Sequence, residues 1–111
     1  MTDYCDIGDL EDVLRETVED TDLEDLAVKC ITTASALVDA FLKVRNMAVP
    51  DPSSPPQLII EASAWFAAWE LRRTSDPINA EAFWNEAQRF LQTYIDSEEP
   101  EDELPFKVGS D

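Results

Sequence analysis

The sequence predicts an all-α protein, with a compact four-helix bundle over residues 1–97 and an extended acidic tail over residues 98–111. Glycine is scarce, since only two occur among 111 residues, and the seven prolines lie between the apolar segments. That distribution is typical of helices joined by short, stiff connections. Apolar residues make up 44% of the chain, including three Trp and five Phe. They recur at helical spacing in four segments, which gives a single domain its core.

The first helix is predicted to follow Asp6, which has the short polar side chain of an N-cap and precedes Asp9 by three residues. Its apolar stripe consists of Ile7, Leu10, Val13 and Leu14. Acidic residues in the first turn favour this helix because they complement the positive end of its dipole.

The second helix is predicted to run from Thr21 to about Val44, before Pro50 ends it. Thr21 and Glu24 have the spacing of a capping box. The apolar residues at spacings of three and four form its inner face: Leu23, Leu26, Ala27, Cys30, Ile31, Ala34, Leu37, Val38 and Phe41. The polar positions predict an outer face of Asp25, Lys29, Thr32, Asp39 and Lys43.

The third helix is predicted to start near Pro55 or Pro56, with Ser54 as its cap. Between Leu58 and Trp69 it is apolar nearly all round. A helix of that composition is usually the buried centre of a bundle. Arginines in its last turn suit the negative end of the helix dipole.

The fourth helix is predicted to begin after Asp76, with Pro77 in the first helical position. Its inner face would consist of Phe83, Trp84, Ala87, Phe90, Leu91, Tyr94 and Ile95. Its outer face would carry Asn79, Glu81, Asn85, Arg89 and Gln92. After Ser97 the chain becomes acidic and is interrupted by proline, which predicts the end of the helical domain.

The formal net charge is −17, with three Lys and five Arg against 25 acidic residues. Such a chain has few cations to offer phosphate, so we expect no nonspecific binding to nucleic acid or to an anionic membrane. Two interpretations of the acidity compete: a surface adapted to high cytoplasmic salt, and a surface that mimics nucleic acid. Low lysine with abundant aspartate favours the first.

The sequence lacks the residue types and motifs on which enzymatic catalysis usually depends. The chain has no His, the usual general base near neutral pH, and two glycines cannot build a phosphate-binding loop. Cys5 and Cys30 are too far apart for a local metal clip and lack a base partner, so we expect buried, free thiols. We therefore expect no catalytic site, no cofactor and no bound metal.

No apolar run approaches the roughly 20 residues needed to span a bilayer. The acidic N-terminus also lacks the features of a signal peptide, so an intracellular product is expected.

The aromatic residues of the third and fourth segments could line a ligand pocket or form a packed core. Their helical spacing predicts the packed core, with some of them facing a neighbouring copy. The residues in question are Trp65, Phe66, Trp69, Phe83, Trp84 and Phe90.

The tail contains a short apolar island formed by Leu104, Pro105, Phe106 and Val108. One interpretation is a disordered terminus. The other is a docking arm that becomes ordered on a partner, for example by adding a strand to a sheet edge. Its acidic flank would suit a basic surface.

The order of features across residues 3–95 resembles the small head–tail connector (adaptor) proteins of tailed phages and archaeal tailed viruses. The start Tyr4-Cys5-Asp6-Ile7-Gly8-Asp9-Leu10, followed by Leu14, is similar to the short first helix of that family. The run Ala34–Leu42 is similar to the family's second-helix pattern of Ala-Ser, then an apolar residue, Asp and an aromatic. A proline-bearing loop from Val49 to Pro56 leads into an aromatic third helix, as in the family.

The resemblance implies a virion structural protein of the neck, assembled in the host cytoplasm and then placed between capsid and tail. It would form a ring, usually of twelve subunits, beneath the portal protein. The ring would extend the DNA channel without specific DNA binding and would contact the next neck or tail-completion protein. The C-terminal segment would grip the portal, which makes Leu104, Pro105, Phe106 and Val108 the candidate contacts. The acidity is expected of a haloarchaeal tailed virus.

Two alternatives remain open at this point. One is a small acidic DNA mimic that inhibits a host DNA-binding protein, which requires carboxylates held on rigid helices. The other is a helical subunit of another assembly, such as a tail-completion protein.

Overall fold

Four α-helices make up the regular structure of residues 3–15 and 21–97, the ranges described by the computed structural model, in which Thr21 is described by its backbone alone. Helix α1 spans Ile7–Leu14, α2 Thr21–Val44, α3 Gln57–Arg72 and α4 Pro77–Ser97. No strand occurs within these ranges. The all-α prediction is confirmed. Every helix begins within about two residues of its predicted start, and α2 and α4 end at the predicted residues. The predicted acidic tail, residues 98–111, lies outside the described residues, as does the side chain of the predicted cap Thr21.

The start of α1 is fixed by a reciprocal pair of side-chain bonds, as the sequence predicts. The Asp9 backbone N–H donates to the Asp6 carboxylate at 2.9 Å, and the Asp6 N–H donates to the Asp9 carboxylate at 3.0 Å. The helix ends at Arg15, whose left-handed backbone (φ 60°) lets its N–H bond the Glu11 carbonyl at 2.7 Å. These caps satisfy backbone groups that so short a helix would otherwise leave open.

Helix α3 lies at the centre of the fold and packs against each of the other three helices. Every residue from Leu58 to Arg72 is at least partly buried, which confirms the prediction of a central helix. Small side chains dominate its fully or nearly buried positions, where they allow neighbouring backbones to approach closely: Ala62, Ser63, Ala64, Ala67 and Ala68. Phe66 and Ile59 are fully buried between them and fill the remaining volume.

The predicted cap of α3 is wrong. The N-cap position is Pro56, which makes no side-chain capping bond, and Ser54 lies in the preceding turn. That turn is closed by Asp51, whose carboxylate accepts bonds from the Ser53 N–H (3.0 Å) and hydroxyl (2.8 Å). Its carbonyl accepts the Ser54 N–H at 3.0 Å. Because Pro55 and the extended Pro56 follow, Ser54 stands too far from the helix to cap it.

Helix α4 has the two faces that its sequence predicts. Ala87, Leu91 and Tyr94 are buried, and the four other predicted inner residues are partly buried. All five predicted outer residues are exposed. Asp76 precedes the helix, where its carbonyl accepts the Ala80 N–H at 2.9 Å and its carboxylate accepts the Asn79 side-chain amide at 2.7 Å.

Two positions of α2 depart from the predicted faces. Leu26, expected inside, is 47% exposed. It lies about 100° around the helix from the fully buried Ala27, at the edge of the apolar stripe. Asp39, expected outside, is partly buried because Tyr4 covers it and donates its hydroxyl proton to the carboxylate.

Tyr4 holds the N-terminal segment against α2 through hydrogen bonds. Its backbone N–H donates to the hydroxyl of the buried Ser35 at 2.9 Å, and its ring is 3% exposed. Its hydroxyl contacts Asp39, and the Pro50 carbonyl lies 3.4 Å away. One residue thus connects the chain start, the middle of α2 and the loop before α3.

None of the described helices is both long and apolar enough to cross a membrane.

Tyr4→Phe should lower the free energy of unfolding by about 1–2 kcal/mol, because a hydrogen bond to a partly buried carboxylate is lost while the ring remains. The measurement is urea unfolding followed by circular dichroism. In an Asp39→Ala background the same substitution should cost much less, since the acceptor is already gone. An equal cost in both backgrounds would show that the bond contributes nothing.

Alkaline pH should reduce the stability that Tyr4 and its neighbour Cys5 contribute. Burial, followed by the hydrogen bond and the charge of Asp39, raises the pKa of the Tyr4 hydroxyl far above its usual value. Burial also raises the pKa of the Cys5 thiol to about 12. The unfolded chain releases both protons first, so their contribution to stability is complete below about pH 8 and falls as pH rises towards 11.

The test compares the urea midpoints of the wild type and Tyr4→Phe across that pH range. The wild type should lose stability more steeply, because only it has the phenol to ionise. If the urea midpoints of both proteins fall equally with pH, ionisation of Tyr4 does not contribute to the loss of stability.

Candidate functional site

The predicted docking residues Leu104, Pro105, Phe106 and Val108 lie outside the described residues, so the docking arm stays a prediction. The candidate sites are surfaces of residues 3–15 and 21–97.

Both cysteines are buried and free, as the sequence predicts. Burial, reinforced by the carboxylates of Asp9, Asp6 and Asp3, raises the pKa of Cys5 to about 12. Burial and the charge of Glu70 raise the pKa of Cys30 to about 11. Each thiol therefore keeps its proton near neutral pH, where a nucleophile would need to lose it.

No group of three or more His, Cys, Asp or Glu side chains within the described part of the chain is placed to hold a metal ion.

The aromatic residues pack against one another across α2, α3 and α4. The Phe66 ring lies 5.9 Å from Phe41 and 5.1 Å from Trp84, and the Trp69 and Trp84 centroids are 4.6 Å apart. Trp65 meets Phe83 at 5.6 Å. Phe66 is fully buried, and the other aromatics are packed around it, half-buried. The predicted aromatic core is confirmed: the Phe41 and Phe66 rings are stacked and Trp84 meets Phe66 edge to face, both arrangements that stabilise helix packing.

An apolar groove opens where the N-terminal segment crosses α2. Its apolar lining consists of Cys5, Ile7, Val28 and Ile31, and the carboxyl-bearing residues Asp3 and Asp6 also line it. We call this the N-terminal groove. It encloses about 570 Å³, and Val28 within it is 43% exposed. Sequence reasoning missed Val28, although an apolar residue outside the helix stripe was the available signal.

A second surface is the outer side of α4, formed by Ile78, Ala82, Asn85 and Arg89, here called the α4 outer face. Ile78 is 83% exposed, the most exposed large apolar side chain in the described residues. Ala82, Asn85 and Arg89 line a shallow depression further along the helix. Ile78 was also missed, and it too stands outside the predicted inner stripe.

Helix α4 carries few charged residues for its length. The helix carries three acids and one arginine in 21 residues, whereas residues 3–15 carry five acids and one arginine. Arg89 pairs with Glu86 at 2.7 Å and lies 4.7 Å from the Phe90 ring centroid. In a chain of net charge −17, this face can meet another acidic surface with less repulsion than α1 can.

A third surface is an acidic cleft between α1 and α3. Asp9, Asp12 and Glu61 line it together with Arg15 and Trp65. Burial raises the pKa of the Asp9 carboxyl, and the charges of Asp6 and Asp12 act in the same direction. The cleft therefore holds carboxylates on two packed helices.

Comparison with protein-family models, with curated proteins and with solved structures finds no match to this chain.

Proposed function

We propose that this chain is a head–tail connector: a virion structural protein that forms a ring below the portal, extends the DNA channel and joins head to tail. In this proposal residues 1–97 form a compact four-helix bundle and residues 98–111 form the arm that docks on the portal. The chain acts by assembly and not by catalysis. Its sequence resemblance to the connector family supports this assignment.

The observation that carries the proposal is the presence of two different surfaces with exposed apolar residues. The α4 outer face, with Ile78, is turned from the core because the opposite side of the helix packs on α3. The N-terminal groove, with Val28, lies between the N-terminal segment and α2. Phe41 contacts Trp84 of α4, and Val28 lies about 140° around α2 from Phe41. A subunit with two different contact surfaces can join two neighbours, as a ring requires.

The charge distribution suits a channel component. A wall rich in carboxylates and poor in Lys and Arg offers duplex phosphates few partners, so DNA would pass without being held. The same acidity suits molar salt, where a Debye length of about 3 Å screens neighbouring subunits from each other.

One observation favours the second candidate, an acidic DNA mimic that inhibits a host DNA-binding protein. Asp9, Asp12 and Glu61 converge on one cleft between packed helices, and a mimic requires carboxylates on such a rigid support. A mimic would bind a basic DNA-binding protein as a monomer and ignore the portal. Another tail-completion subunit, the third candidate, would associate without binding the portal.

Ring assembly should strengthen as salt rises to molar levels, because −17 per subunit must be screened when copies pack side by side. The measurement is the particle mass by light scattering, at low and at molar salt, with and without the portal protein of the same virus. A large closed oligomer, or a monomer recruited by the portal, is the expected result. A monomer indifferent to the portal at every salt concentration would reject the connector function.

Deleting residues 98–111 should abolish portal binding and leave the helical domain intact. The deletion removes the apolar residues Leu104, Phe106 and Val108, while the four described helices end at Ser97. Portal binding is measured by co-sedimentation and helicity by circular dichroism. The matched control replaces only the acids Glu98, Glu99 and Glu101 with Gln. Loss of helicity on truncation would show that the tail belongs to the core.

A further inference from the structure

We propose that the α4 outer face of one subunit docks into the N-terminal groove of a second copy, and that this head-to-tail contact closes the ring. The inference rests on the proposed connector function and adds to it the residues of the lateral interface. Ile78 would enter the groove between Val28 and Ile31, and Arg89 would approach the carboxylate of Asp3.

Each of the two surfaces presents an exposed apolar side chain. Ile78 is 83% exposed on a helix face whose other residues are small or polar. The groove is lined by apolar side chains, and its Val28 is 43% exposed. Burying one against the other removes both from water, and the gain is roughly proportional to the apolar area covered.

The charges of the two surfaces also favour this pairing. A second copy brings net charge −17, so two copies associate most readily where one of them presents a cation. The α4 outer face supplies Arg89, whose side chain is 63% exposed and pairs only with the neighbouring Glu86 among the described ion pairs. An exposed pair of this kind contributes little stability, so Arg89 can exchange partners at low cost.

The carboxylate of Asp3 in the groove is incompletely satisfied. Its Oδ1 is shielded from water and has no hydrogen-bond partner among the described residues. A guanidinium from another chain that approaches the open side of this carboxylate would offset its charge without having to reach Oδ1 itself.

The pairing is between two different surfaces, and this has a geometric consequence. A contact of one surface with itself would stop at a dimer. A contact between unlike surfaces leaves one of each free on every pair, so addition continues, and it ends in a ring where the rotation between successive copies closes.

Two single substitutions test the contact by sedimentation velocity in molar salt. Ile78→Asp and Val28→Asp should each weaken association by more than about tenfold, because each places a charge in the apolar contact. Val44→Asp is the matched control: Val44 is 78% exposed and belongs to neither surface. It should associate as the wild type does. Circular dichroism confirms that each variant is folded, and Asp near the start of α4 favours that helix.

Mixing the two variants gives the sharpest result. Ile78→Asp keeps an intact groove and Val28→Asp keeps an intact α4 outer face, so together they should form a one-to-one dimer and nothing larger. Association of Val28→Asp alone with loss only in Ile78→Asp would overturn the pairing, because it would show α4 meeting α4.

A charge exchange tests the polar part independently of the apolar substitutions. Arg89→Glu and Asp3→Lys should each weaken association by about threefold, and the double variant should restore it. Lys43→Glu is the control for a lost exposed cation on another helix. Failure of the double variant to recover would overturn the Arg89–Asp3 contact.

The outcomes separate this inference from the connector function itself. Rings that form normally from Ile78→Asp and from Val28→Asp would overturn the interface and leave the connector function standing. A wild-type chain that stays monomeric with the portal present would overturn both.

Discussion

The close packing of α3 against three other helices is the constraint on which the rest of the structure depends. Alanine and serine at its buried positions bring the neighbouring backbones near, and Phe66 fills the space that remains between α2 and α4. Ser63 shows how tight this packing is, since its hydroxyl is fully buried and has no hydrogen-bond partner among the described residues. Both α1 and α4 pack on α3, and each meets α3 more extensively than the two meet each other.

The acidity of the chain opposes this packing, because like charges repel one another in the compact state. A chain of net charge −17 repels itself in dilute buffer, so its compact state depends on burial of its apolar faces and on screening by salt. The charge is also unevenly placed: residues 3–15 carry most of their acids around α1, whereas α4 is nearly neutral along its outer side. The outer side of α4 is therefore where a second acidic chain would meet the least repulsion.

The proposed connector function and the proposed lateral interface rest on different observations. The first rests on the sequence resemblance and on the presence of two different contact surfaces. The second comes from the exposed Ile78, the apolar groove and the unpaired oxygen of Asp3. The acidic cleft between α1 and α3 belongs to neither, and it is the surface a DNA mimic would use.

The sequence by itself determined the number, order and bounds of the helices and the central place of α3. These features depend on capping, proline positions and apolar periodicity, which act over a few residues. Only the tertiary structure decided that Tyr4 reaches Asp39, that Leu26 is exposed and that Val28 borders a groove. Those outcomes depend on where a neighbouring segment begins or ends, and segments far apart in sequence meet only after the helices have packed. Local sequence patterns therefore do not predict these long-range contacts.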